Sequence, residues 1–157
     1  MRPKKIKFTK TNKVNISYEE TNKSTSSWDE YSLTCADAPR PELLSIMQAL
    51  KIHVIKMCEL PIEYLNRITV TGVTFSYAGE NDVMGATITA QMQLEFSNCD
   101  LNLNTPHKAS ESYNINYEAD DKQLLSDDCV EALDKLWDEI DLYIKGERAQ
   151  TNLFAIR

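Results

Sequence analysis

The chain has 157 residues, a net charge of −7 and an apolar content of 42%. That length suits one domain, which can bury roughly two-thirds of the surface its unfolded form exposes without a disulfide or a metal. No apolar run approaches the ~20 residues of a membrane span, and no apolar segment follows the basic N-terminus as a secretory signal requires.

The charge is unevenly spread. The first 13 residues hold Arg2, Lys4, Lys5, Lys7, Lys10 and Lys13 and no acid, a balance of +6. Residues 118 to 141 hold ten acids and two lysines. A chain this acidic overall is a poor gripper of duplex nucleic acid, but the basic N-terminal stretch keeps a local phosphate contact open. The simpler expectation for those lysines is a strand edge protected from aggregation.

Cys35, Cys58, Cys99 and Cys129 are too far apart in sequence for a C-x-x-C zinc or redox pattern. Free cysteine is usually a small buried hydrophobe, and reduced thiols point to the cytoplasm.

In chain order, Ile6 and Phe8 alternate with Lys5 and Lys7, and Val14, Ile16 and Tyr18 alternate with Asn15, Ser17 and Glu19. With Thr11 and Asn12 between them, these two runs predict a hairpin. Residues 20 to 27 are polar and aperiodic, which predicts a mobile loop. Trp28, Tyr31, Leu33 and Cys35 predict a third strand.

Pro41 and Glu42 suit a first helical turn, and Leu43, Met47, Leu50, Val54 and Met57 recur at helical spacing, which predicts one helix over 41–58. Pro61 ends it, with a short helical turn expected around Ile62 to Leu65.

Residues 66 to 97 read as one long hairpin. In its second arm Ile88, Ala90, Met92, Leu94 and Phe96 alternate with Thr87, Thr89, Gln91, Gln93 and Glu95, so the apolar set should face helices. In the first arm Ile68 and Val70 have one parity, whereas Val73, Phe75 and Tyr77 have the other. A β-bulge at Thr71 or Gly72 would restore the phase. The connecting loop, Ala78 to Gly85, is long enough for the arms to project beyond the sheet.

Residues 98 to 108 look irregular, with Pro106 as a breaker. A weak strand is expected at Tyr113, Ile115 and Tyr117. Leu125, Cys129, Leu133, Leu136, Ile140 and Tyr143 share one face of a helix over about 121–145, opened by an Asp120–Gln123 capping box or by Ser126 and closed near Gly146. The tail, 148–157, could add a short strand.

Catalytic signals are sparse. His53 belongs at the edge of the first helix's buried stripe. His107 is freer, but a general base needs a positioned partner, and none can be named. Asp127 with Asp128, like Asp120 with Asp121, suits a solvated helix start better than a metal site, because adjacent helical side chains diverge by about 100°. No phosphate loop or nucleophile elbow is present. Tyr18, Trp28, Tyr31, Phe75, Tyr77 and Phe96 could stack on bases, but their parity favours the core.

The Lys-Ile-Lys-Phe opening at 5–8, the Val-Thr-Gly-Val-Thr-Phe-Ser-Tyr run at 70–77, the short length and the acidity together resemble small uncharacterised proteins of bacteriophages and prophages. The resemblance implies the cytoplasm of an infected or lysogenic bacterium. It carries no motif of known activity.

The expectation is a single α+β domain: an antiparallel twisted sheet of five to seven strands, with two long helices packed on one face. The favoured function is a non-enzymatic accessory that forms a homodimer and engages a host or phage protein, in replication or recombination or as an inhibitor of a nucleic-acid enzyme. The alternative is single-stranded nucleic-acid binding through Lys4, Lys5, Lys7, Lys10 and Lys13. A small hydrolase using His107 is third. No cofactor is expected.

Overall fold

A computed structural model describes residues 1–11, 13–112 and 123–149. Among these the strands are β1 (Arg2–Phe8), β2 (Val14–Thr21), β3 (Trp28–Cys35), β4 (Ile68–Ala78), β5 (Val83–Met92), β6 (Leu101–Asn104) and β7 (Lys108–Ala109). They form one antiparallel sheet in the order β3-β2-β1-β4-β5-β6, with β7 also beside β5. Helices α1 (Pro41–Ala49), α2 (Lys51–Met57) and α3 (Asp127–Ile144) supply the cover.

The period-two reading explains the core. Ile6, Ile16, Val73, Phe75, Ile88 and Ala90 are buried beneath Leu43, Met47, Leu50, Val54, Leu133, Leu136 and Ile140. Ser126 caps α3 by accepting a hydrogen bond from the Cys129 N–H at 3.2 Å, and Asp127 and Asp128 occupy the first turn, where the helix dipole favours them. The alternative start at Asp120, the weak strand at 113–117 and the tail from 150 lie outside the described residues.

The bulge falls where the parity break requires it. The β4–β5 register shifts between Val70 and Gly72, leaving Thr71 as the extra residue. Val70 lies past the β1 ladder, which pairs with β4 only from Gly72 to Thr74. Its backbone is paired instead by the Gln48 side-chain amide. Gln48 Oε1 accepts from the Val70 N–H at 3.1 Å, and Gln48 Nε2 donates to the Val70 carbonyl at 2.9 Å. One half-buried side chain thus supplies what a neighbouring strand would have given.

Several expectations are corrected. The helix over 41–58 is two helices meeting at Leu50, where the Leu50 N–H bonds three residues back to the Met47 carbonyl and tightens the turn. Leu43, Met47, Leu50 and Val54 all stay buried across that bend. The strand with Ile88 ends at Met92, so Leu94 and Phe96 do not face the helices. Phe96 is 94% exposed. The cause is the partner: Ile68 opposite Met92 is the last β4 pair, and the preceding residues 62–67 turn away as a 3₁₀ helix. Gln93 makes one further rung to the Arg67 carbonyl.

The stretch after residue 98, read as irregular, contains β6 and β7. The asparagines of Leu-Asn-Leu-Asn lower its strand propensity, but pairing with β5 overrides that. The β4–β5 loop does not project: residues 79–82 make a tight turn, and Arg2 reaches back to Asp82 at 3.4 Å. The loop read over 20–27 narrows to 22–27, where Asn22 Oδ1 accepts from the Ser24 and Thr25 N–H groups.

Candidate functional site

The helices cover one face of the sheet, and among the described residues the other face is open. The register decides what lies there. Lys5 is opposite Ser17 and Thr74, and Lys7 is opposite Asn15 and Gly72. Thr89 is opposite Asn104, and Gln91 is opposite Asn102 and Thr69. Directly opposed residues share a face, so the basic positions of the first hairpin and the amides of β5 and β6 form one continuous surface.

β1 is therefore an interior strand between β2 and β4, and its lysines do not guard an edge as the simpler sequence reading had it. They rise from the middle of an exposed sheet. A groove of about 810 Å³ crosses this surface, lined by Lys5, Lys7 and Lys10, by Asn15, Gln91, Asn102 and Asn104, and by Thr71 and Thr89, with Phe8 and Thr9 at its β1 end. Its described lining contains three cations, four amides and no carboxylate. Lys5 and Lys7 stand two residues apart on one strand, ~7 Å by strand geometry, and are exposed. The Gln91 amide donates to Asn102 Oδ1 at 3.2 Å, which orients the rim.

The other predicted basic residues do not join them. A register shift between Pro3 and Lys5 makes Lys4 the extra residue of β1, and its Nζ lies 2.9 Å from the Glu19 carboxylate. Glu19 is buried and also accepts from Arg2 at 3.2 Å. The Lys4 hydrogen bond holds its carboxyl below the usual glutamate range; burial opposes the shift, and Arg2 adds to it. The Arg2 guanidinium lies between the Trp28 ring, 4.0 Å away, and the Tyr77 ring, 4.6 Å away. Lys13 is exposed beside the first turn and does not line the groove. The three lysines of the groove are thus separated from two basic residues spent on a buried acid.

The aromatic expectation holds in part. Phe75 is buried. Tyr18 and Tyr77 are half-buried against the core. Trp28, at 42%, and Tyr31, at 44%, are exposed, because β3 is an outer strand beyond the helical cover.

His107 lies on the open face over Gly85, its Nε2 2.6 Å from Ser76 Oγ. A Cβ at Gly85 would stand 2.7 Å from that nitrogen, so the glycine makes room for the ring. This pair resembles a nucleophile–base dyad, in which a third group must orient the base. Among the described residues no hydrogen bond or ion pair joins His107 to a carboxylate. The contact fastens the β6–β7 connection onto the sheet.

His53 is buried rather than at the edge of its stripe, and burial, with the nearby Lys56 charge, lowers its pKa. It lines a smaller cavity of about 210 Å³ with Lys56, Lys108 and Cys129 at the start of α3. Burial pushes the Cys129 thiol up to about 11, which leaves it protonated and unreactive. Among the described residues no group of three or more His, Cys, Asp or Glu side chains could hold a metal ion, and no helix is long and apolar enough to cross a membrane.

The groove was half legible in sequence. The lysine alternation was visible. The amides of β5 and β6 that complete it were not, because the β5–β6 pairing that aligns them is a tertiary fact. No family model matches the chain, and no curated protein or solved structure matches it either.

Proposed function

We propose that this is a binding protein whose open sheet face takes an extended anionic chain, with single-stranded nucleic acid as the ligand class. The observation that carries the reading is the composition of the groove: Lys5, Lys7 and Lys10 among neutral amides and threonines, with no carboxylate in its described lining. Lysines contribute the sequence-independent phosphate term, and amides and hydroxyls hydrogen-bond phosphates, sugars and base edges. Phe8, opposite buried Val14, turns its ring to the core, so the described groove lining offers no ring for stacking and affinity rests on charge. The acids of α3 belong to the helical layer on the opposite side of the sheet, so they do not neutralise the groove by direct contact.

The resemblance to small phage and prophage proteins supports an accessory role in replication or recombination, in the cytoplasm of an infected bacterium. A second reading, engagement of a host or phage protein, rests on Phe96, which is 94% exposed, with Leu94 and Leu101 of the same stretch also exposed. A large apolar side chain held in solvent is a common anchor for a protein partner.

The test is a fluorescence-anisotropy titration of a labelled oligonucleotide at several salt concentrations. Three neutralised phosphates give a slope of about −2 in log K against log salt, at about −0.7 each. Lys5→Glu with Lys7→Glu should abolish binding, and Lys13→Glu should leave most of it. No binding at low salt, or equal loss with Lys13→Glu, overturns the reading in favour of the protein partner.

A further inference from the structure

The two outer edges of the sheet differ. On one side β6 has four residues and β7 two; on the other β3 offers eight, Trp28 to Cys35. Every one of those eight pairs in unbroken register with β2, from Thr21↔Trp28 to Val14↔Cys35, so β3 is a full-length, regular strand with its outer backbone groups unpaired among the described residues. The usual protections of an edge are a bulge, a proline or charged side chains, lysine above all, and β3 has charges only at Asp29 and Glu30 near its start. No bulge, proline or lysine occurs between Trp28 and Cys35.

We propose that β3 is the self-association surface of this protein, pairing antiparallel with β3 of a second copy to join the two sheets into one. A second copy fits the edge by its length and by its charge. The charged residues of β3 are Asp29 and Glu30, both towards one end. Antiparallel pairing about a two-fold near Ser32 sets Glu30 opposite Thr34 of the other copy. The two Glu30 positions are then about four residues apart along the strand direction, ~13 Å, beyond the ~8 Å screening length at physiological salt. Parallel pairing in register would set like charges side by side. On the helical side the same arrangement places Tyr31, 44% exposed, opposite Leu33 of the other copy, giving an apolar cross-strand pair at the seam.

The assembly has a geometric consequence. β1 is two strands in from this edge, so the two β1 strands of the dimer lie five strand spacings apart, ~24 Å. Both lysine rows then belong to the open face of one continuous sheet. The assembly does not rest on the nucleic-acid reading and is measured without oligonucleotide.

The test is sedimentation equilibrium over a concentration series up to about 0.5 mM, high enough to reveal a dimer with micromolar to sub-millimolar affinity. The full chain should pass from 17.9 kDa to twice that mass. Ser32→Lys, an exposed position on the open face, sets two cations against each other at the two-fold and should weaken the dimer at least about tenfold, with circular dichroism unchanged. Thr11→Lys, an exposed position at the first turn, adds the same charge away from the edge and should leave the dimer intact. A monomer at every concentration overturns the proposal. So does a dimer indifferent to Ser32→Lys, or one that Thr11→Lys weakens as much.

Discussion

Two side chains show how single residues hold the site in shape. Glu19 is buried and takes both Arg2 and Lys4. Its folded pKa is lowered, so the folded state binds fewer protons than the unfolded one. Its contribution is therefore present above the ordinary value of 4.5 and is lost as pH falls through the lower folded value. Urea unfolding of Glu19→Gln should show a lower midpoint at neutral pH and a shallower decline below pH 4.5 than the parent. Gln48 is the second case. Gln48→Leu keeps the volume but leaves the Val70 N–H and carbonyl without their partner, and should cost about 1–3 kcal/mol in the same experiment, the penalty for a buried polar group left unpaired. The periodicity of the helix marks Gln48 as off the apolar stripe and says nothing of this role, because its partner is 22 residues away and lies past the end of the β1 ladder.

Strands carry their own tests. A Cβ at Gly72 would stand 2.8 Å from the Ile6 carbonyl oxygen, an atom of the neighbouring backbone. The two strands can relieve that only by parting, so Gly72→Ala should destabilise by about 1–3 kcal/mol. Gly85→Ala meets side chains instead, His107 and Ser76. His107 is exposed and can swing aside, so stability should change little, while the His107 ring resonances move in an NMR spectrum. Leu94→Ala should stay within about 0.5 kcal/mol, as a surface change does, whereas Leu136→Ala in the core of α3 should cost about 2–5 kcal/mol. Equal losses at Leu94 and Leu136 in chemical denaturation would return Leu94 to the core.

The whole molecule divides its charge by layer. The stretch 1–13 carries +6 and α3 holds seven acids to one lysine. Among the described residues no ion pair joins the two: the groove lysines rise from the open side, Arg2 and Lys4 are taken by Glu19 and Asp82, and α3 pairs Lys135 with Glu131 and Asp141 with Lys145. An acidic chain can thus present one cationic face. Nucleic-acid affinity should fall with Lys5→Glu alone, by at least as much as one phosphate contact supplies. It should change far less with Lys135→Glu on α3, although both substitutions alter the net charge equally. Equal effects in the anisotropy titration would mean that the overall field, and not the groove, governs binding.

The sequence by itself determined the first five strands, the helical stripes of 41–58 and α3, the faces these bury, and even the bulge at Thr71, since apolar parity, glycine and capping residues act over a few neighbours. It also marked the lysines of the first strand. It did not mark β6, β7 or the break at Leu50. Tertiary structure alone decided that β1 lies inside the sheet, that Lys4 is spent on Glu19, that Phe96 is left without a partner strand, and that Asn102 and Asn104 share the open face with Lys5 and Lys7. Each of these depends on which strand lies next to which. Side-chain alternation records the two faces of a strand and carries no mark of its neighbours across the sheet.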